Sequence, residues 1–126
     1  MIIQSKRVWL ASRFMAAQLE LENGKIKAVY HYGEKPADKD YGNDRIIPGM
    51  IDVHTHGAYG FDTNDGEAEG LRNWAARLPV DEGVTSFQPT TITQSTEVLD
   101  KALANVVKVV EEGYRGAEML GIHFRR

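Results

Sequence analysis

The chain has 126 residues, of which 42% are hydrophobic and 26% are charged, and its formal net charge at pH 7 is -3. This composition predicts a soluble globular chain with a packed core, and the absence of a basic stripe argues against a nucleic-acid partner. Because the chain contains no cysteine, any metal ligands must be histidines or carboxylates. The sequence has no signal-peptide pattern and no apolar run of membrane-spanning length, so we expect a cytoplasmic protein that does not associate with membranes.

The first part of the chain, residues 1–47, predicts short β-strands. Two runs alternate apolar with polar side chains, the apolar ones being Ala17, Leu19 and Leu21 in the first run and Ile26, Ala28 and Tyr30 in the second. Asn23-Gly24 lies between them and favours a type I′ turn, so we predict a β-hairpin. The polar segment 33–44 predicts a loop.

After Pro48-Gly49 the pattern changes to strand, helix, strand, helix, strand. The predicted strands are residues 50–56, 84–88 and 119–124. Helices of this length between strands are typical of βα units, so the second part of the chain predicts a parallel sheet and an α/β fold.

Apolar residues at helical spacing define the two predicted helices. The first helix carries Leu71, Trp74, Ala75 and Leu78, and the second carries Leu99, Leu103, Val106 and Val110. We expect Pro79 to end the first helix, because proline lacks the amide hydrogen that a helix interior needs. Ser95 is a suitable N-cap for the second helix, and Gly113 is a suitable end.

The candidate functional residues are His54 and His56, two positions apart on the first strand of the second part. Side chains alternate along a strand, so the two imidazoles leave the same face, where they can bind one divalent ion. Asp52 shares that face in a regular strand and could orient an imidazole. Spacing alone equally permits two histidines without a metal, exposed or hydrogen-bonded in the core.

Residues 45–57, Arg-Ile-Ile-Pro-Gly-Met-Ile-Asp-Val-His-Thr-His-Gly, resemble the signature of the amidohydrolase superfamily. Residues 57–65, 83–91 and 116–124 are similar to its N-acetylglucosamine-6-phosphate deacetylase family. This resemblance implies that residues 1–47 are part of a small β-sandwich. It also implies that residues 48–126 are the first three βα units of an incomplete (β/α)₈ barrel of the TIM type.

The resemblance also implies a chemistry. His54 and His56 would be ligands of a divalent metal, zinc or iron, and the small-molecule substrate would be an amino-sugar phosphate whose acetamide is hydrolysed. The family's next metal ligand is a glutamate, but this chain carries Arg125 at that place, and the family's catalytic aspartate would lie beyond Arg126. We therefore expect an incomplete, inactive fragment whose open strand edges make it a homo-oligomer.

Two alternatives remain open. The chain could be a non-catalytic truncated product that self-associates, or part of another amidohydrolase such as a dihydroorotase or a cyclic deaminase. Among the other polar residues, we expect Asp62 and Asp65 to cap the following helix, and residues 85–91 to satisfy turn backbone. His31 is expected at the surface, and His123 is expected to pack or form hydrogen bonds and not to bind metal.

Overall fold

The structure is a computed structural model that describes residues 1–125. The chain divides into two compact units, Met1–Pro48 and Gly49–Arg126. We describe each unit by itself. The presence of both sheets and helices confirms the predicted α/β class.

The first unit is a five-stranded sheet. Its strands are β1 (Ile2–Leu10), β2 (Arg13–Glu22), β3 (Lys25–His31), β4 (Lys39–Asp40) and β5 (Arg45–Ile46). The order is β3-β2-β1-β4, and β5 also pairs with β1. The predicted hairpin joins β2 to β3, with φ angles of 51° at Asn23 and 73° at Gly24 that suit a type I′ turn. These residues form a single sheet, so they do not supply the second layer of a sandwich.

The segment 33–44, predicted to be a loop, contains β4 and is held to β1 by backbone hydrogen bonds. The amide of Asp38 donates to the carbonyl of Ile2 (2.8 Å), and the amide of Tyr41 donates to the carbonyl of Gln4 (2.9 Å). A strand of two residues has no alternating pattern, so only its partner reveals it.

A buried polar network closes the first unit. Gln18 is fully buried, and its Nε2 donates to Oε1 of Gln4 (2.7 Å) and to the carbonyl of Lys35 (2.7 Å). The amide of Lys35 donates back to Oε1 of Gln18 (3.0 Å). Gln4 in turn donates to Asp40, whose pKa is held below its usual value by hydrogen bonds from the Tyr32 hydroxyl, the Gly42 amide and Gln4. The polar side chains therefore fasten the 33–42 segment onto the sheet.

The second unit contains a three-stranded parallel sheet in the order β10-β9-β6. In chain order its elements are β6 (Met50–Thr55), β7 (Gly57–Ala58), β8 (Phe61–Asp62), a 3₁₀ helix (Thr63–Asp65), α1 (Ala68–Asp81), β9 (Val84–Pro89), α2 (Thr96–Glu112) and β10 (Glu118–Met119). Its core includes Leu71, Trp74, Phe87, Val106 and Val109. Trp74 packs edge-on against Phe87 with ring centroids 4.8 Å apart. The predicted alternation of strands and helices is confirmed.

The first helix does not end at Pro79, as the sequence predicted, but continues to Asp81. Proline leaves the carbonyl four residues earlier without its helical donor. That carbonyl, of Ala75, accepts instead from the amide of Ala117 (2.8 Å). A Cβ at Gly116 would collide with the same oxygen, and Gly116 has a φ of 104°. A glycine one residue before the new donor thus allows the approach that keeps the helix intact.

The second helix agrees better with its prediction. Ser95 accepts from the amide of Val98 as the N-cap, and Gly113 is the C-cap. Val110, predicted on the buried face, is 47% exposed, because the buried face includes Ala102, Val106 and Val109. No helix within residues 1–125 is long and apolar enough to cross a membrane.

The last strand is shorter than predicted. Pairing in β10 covers Glu118–Met119, and beyond it an isolated bridge joins His123 to Thr90. Gly121, with a φ of 142°, interrupts the regular strand. The segment nevertheless follows β9, because the amide of His123 donates to the carbonyl of Pro89 (2.9 Å).

Candidate functional site

The two predicted histidines lie together at the carboxyl end of β6. The ring centroids of His54 and His56 are 5.2 Å apart, and the ring planes meet at 74°. His54 is exposed and His56 is half-buried. The strand that carries them is irregular, because its pairing with β9 shifts register between Asp52 and Thr55. Shifts of this kind are common where a strand directs a side chain toward a site.

Thr90, which follows β9, fixes His56. Nδ1 of His56 lies 3.1 Å from the carbonyl oxygen of Thr90. A carbonyl only accepts, so Nδ1 carries a proton, and Nε2 is the ring nitrogen left for a ligand bond. Thr90 is itself fully buried and bonded to Thr55 twice: its hydroxyl accepts from the Thr55 amide (3.0 Å), and its amide donates to the Thr55 carbonyl (2.9 Å). The sequence predicted a backbone-satisfying role for this segment, but not that it would orient an imidazole.

His123 packs against His54. Their ring centroids are 4.6 Å apart at an interplanar angle of 43°, and Nδ1 of His123 lies 3.2 Å from the carbonyl oxygen of Val53. Desolvation lowers the pKa of His54, and the neighbouring His123, His56 and Arg125 lower it further. The neutral imidazole, which is the form that binds metal ions, is therefore favoured at His54.

Asp52 does not orient an imidazole, which corrects that prediction. Its Oδ1 accepts from the backbone amide of His54 at 3.1 Å. A short carboxylate side chain can reach the amide two residues later, and here that local bond takes the place of a contact with a ring.

The loop after His56 is organised by turns and caps. Gly57–Ala58 pairs with Phe61–Asp62 in a small hairpin, and both the amide and the hydroxyl of Thr63 donate to the carbonyl of His56 (2.7 and 2.9 Å). Asp62 and Asp65 form a reciprocal capping box on the 3₁₀ helix. The prediction of a capping role is thus confirmed, although the helix they cap is this short one and not α1.

Asn64 joins this loop to the loop after β9, a link that the sequence did not reveal. Its Nδ2 donates to the carbonyl of Ile92 (3.0 Å), and its Oδ1 accepts from the amide of Ile92 (3.1 Å). Reciprocal bonds of this kind leave no trace in local sequence patterns, because the partners are 28 residues apart.

Known proteins resemble this chain over most of its length. A protein named N-acetylglucosamine-6-phosphate deacetylase from Bacillus subtilis is 43% identical over 110 residues, which cover 82% of this chain. A protein of the same name from Vibrio furnissii is 39% identical over 104 residues, covering 81% of this chain. The chain is a homologue of the N-acetylglucosamine-6-phosphate deacetylases. The resemblance found in the sequence is thereby confirmed, although no family model matches the chain.

The fold agrees with this homology. The crystal structure of N-acetyl-D-glucosamine-6-phosphate deacetylase from Mycobacterium smegmatis covers 100% of this chain with a TM-score of 0.85 at 21% identity. At that identity the likeness concerns the fold alone. The chain spans 28% of the Bacillus relative, 26% of the Vibrio relative and 35% of the Mycobacterium chain.

The deacetylase homology implies a metal, and the two imidazoles fit part of a metal site. Two histidines bound to one tetrahedral ion at metal–nitrogen distances of about 2.0–2.1 Å have ring centroids about 5 Å apart, as His54 and His56 do. The bond from His56 to the Thr90 carbonyl matches the way ligating histidines are oriented. Within residues 1–125, however, no group of three or more such side chains is placed to hold an ion.

Arg125 adds a positive charge beside this pair. Its backbone is fixed by Thr91, whose Oγ1 accepts from the Arg125 amide (2.8 Å) and donates to the Arg125 carbonyl (3.0 Å). The guanidinium contributes to the lowered pKa of His54. His54 and His56 fit two ligand positions of a metal site. The permanent positive charge of Arg125 disfavours a metal cation nearby and therefore opposes completion of that site.

Proposed function

We propose that this chain forms the first part of a metal-dependent N-acetylglucosamine-6-phosphate deacetylase, which would hydrolyse the acetamide of an amino-sugar phosphate. One observation carries the proposal: the chain is 43% identical to a deacetylase in a stretch where two imidazoles meet at the end of a strand. Relatives bearing the deacetylase name match over 82% of the chain, which favours this family over other amidohydrolases.

The proposed architecture places residues 1–47 in a small β-sandwich and residues 48–126 in a (β/α)₈ barrel. β6, β9 and β10 would be its first three strands, in the parallel order that neighbouring barrel strands require. Active sites of such barrels lie at the carboxyl ends of the strands; His54 lies near the end of β6, and His56 follows its last residue.

In this proposal His54 and His56 hold a divalent ion, zinc or iron, and Thr90 keeps His56 in the tautomer that presents Nε2. When bound, the ion polarises the amide carbonyl and lowers the pKa of a water molecule. The remaining ligands and the proton-transferring group would come from the part of the enzyme that this chain does not span. We therefore expect the purified 126-residue chain to release no measurable acetate from N-acetylglucosamine 6-phosphate.

A chimera tests the proposal. Residues 1–124 of this chain replace the corresponding segment of the Bacillus subtilis relative, which keeps its own residues from the place of Arg125 onward, and acetate release from N-acetylglucosamine 6-phosphate is measured with and without a chelator. We expect chelator-sensitive activity that falls at least about 100-fold in a His54→Ala/His56→Ala variant, because loss of two ligands removes the ion. His31→Ala, a substitution in the first unit, is the matched control and should retain activity. An active chimera unaffected by the double substitution, or a correctly folded chimera without activity, would refute the proposal.

A further inference from the structure

His123 is a titratable side chain at this site that the proposed function does not use. Its ring lies against that of His54, with centroids 4.6 Å apart. Hydrogen bonds fix both the backbone and the ring of His123. The backbone amide donates to the carbonyl of Pro89 (2.9 Å), and Nδ1 lies 3.2 Å from the carbonyl of Val53, the residue before His54.

We propose that His123 is a positioning residue that sets the ring orientation of His54, an inference that rests on the proposed function of His54 as a metal ligand. His54 and His56 are held in different ways. His56 is oriented by the bond from its Nδ1 to Thr90, whereas the recorded hydrogen bond of His54 involves its backbone amide and not its ring. Rotation about the last side-chain torsion of histidine is soft, so an exposed ring needs a neighbour to select one orientation.

The packing geometry suits this role. The rings of His54 and His123 meet at 43°, and their centroid separation lies within the range of packed aromatic rings. The carbonyl of Val53 accepts from Nδ1 of His123, so His123 is tethered to the strand that carries His54. Because the His123 ring is bonded to Val53, the residue before His54, we expect it to keep its position relative to His54.

The same geometry separates positioning from ligation. Within residues 1–125 no set of three side chains, and hence not His54, His56 and His123 together, is arranged to hold an ion. Arg125 lies two residues further on, and its charge already reaches His54. His123 therefore acts through His54 and not on the ion directly.

Zinc titration of the complete 126-residue chain, followed by NMR of the histidine rings, tests the inference. His123→Leu removes the flat ring, whereas His123→Phe keeps it and loses only the tether. We expect His123→Leu to weaken zinc binding about tenfold, as removal of a ligand-orienting neighbour does in other metal sites. We expect His123→Phe to stay within about threefold of the parent chain, and His31→Ala to bind zinc unchanged.

A second readout needs no metal. In the zinc-free chain, ¹³C relaxation should show the His54 ring becoming mobile in His123→Leu and remaining ordered in His123→Phe, while the His56 ring stays ordered in both. A general loss of structure would mobilise both rings alike. If His123→Leu does not fold, His123→Gln, which also lacks an aromatic ring, takes its place with the same expected result.

The outcomes separate this inference from the proposed function. If His54→Ala/His56→Ala leaves zinc binding unchanged, the proposed function fails at its metal site. If that double variant abolishes binding while the His123 variants bind zinc like the parent and keep the His54 ring ordered, the positioning role alone is overturned.

Discussion

The two units of the chain differ in how their strands are paired and in how the edges of their sheets are covered. In the first unit β1, β2 and β3 are joined by antiparallel hairpins, and the buried Gln4–Gln18 network attaches the 33–42 segment to the sheet. In the second unit the three strands are parallel, and β6 and β10 are edges. Met50, Ile51 and Val53 of β6 are 52%, 61% and 57% exposed. The first unit is thus held by a buried polar network, although Ile26 and Val29 on its edge strand β3 are 58% and 49% exposed, whereas the second unit has three apolar residues of one edge strand more than half exposed.

The largest effect that we expect from this difference is self-association through the second unit. Exposed edge strands with apolar side chains pair with other chains. Light scattering should give a mass of at least two chains of 14.1 kDa. A double Ile51→Lys/Val53→Lys substitution should shift the mass toward one chain, because charged residues on an edge prevent pairing.

The control for association is Val80→Lys, at a residue that is 83% exposed on α1 and does not belong to a strand. This variant should keep the mass of the parent chain. A parent chain that is monomeric and unfolds cooperatively would contradict the comparison of the two units.

The next effect concerns the core of the second unit. Trp74 is 1% exposed and packs on Phe87, so Trp74→Ala should lower the free energy of unfolding by about 3–5 kcal/mol. Hydrogen exchange read separately for residues 1–48 and 49–125 should show the loss in the second range. Trp9→Ala is the matched control, because Trp9 is 41% exposed in the first unit, and it should cost much less. Equal loss of protection in both ranges would mean that the units unfold together.

A smaller effect is expected in the first unit from Gln18→Leu. The substitution nearly conserves volume but leaves the Lys35 amide and the Gln4 side chain without their partner. Unsatisfied buried groups cost about 1–3 kcal/mol, which urea unfolding of the first unit should reveal. Gln94→Leu, at an exposed residue, should change stability little. If Gln18→Leu were neutral, the network would not be what closes this unit.

Local features of both units could be predicted from the sequence. Asn23-Gly24 fixes its hairpin because the two residues tolerate positive φ, and Ser95 and Gly113 bound α2 because capping depends on the first and last turns alone. The spacing of His54 and His56 predicted that their rings would lie on the same side, but it did not predict the register shift near them.

What could not be predicted depends on partners far along the chain. β4 is a strand only because it pairs with β1, and Thr90 orients His56 although the two residues are 34 positions apart. Pro79 is the clearest case, because the rule that proline ends a helix predicted the end of α1 there. A carbonyl freed by proline stops a helix only when nothing else satisfies it, and here the amide of Ala117 does.

The smallest effect that we expect is that of Pro79→Ala. Proline in a helix interior costs about 3 kcal/mol relative to alanine, in part through the lost hydrogen bond. Because the Ala75 carbonyl already accepts from Ala117, alanine at position 79 should stabilise the second unit by less than about 1 kcal/mol. Gly116→Ala makes the opposite test: its Cβ would collide with that carbonyl at a positive φ, so it should destabilise the unit by more than Pro79→Ala stabilises it. A gain near the full 3 kcal/mol for Pro79→Ala, measured by urea unfolding, would show that the bond from Ala117 does not replace the one that proline removes.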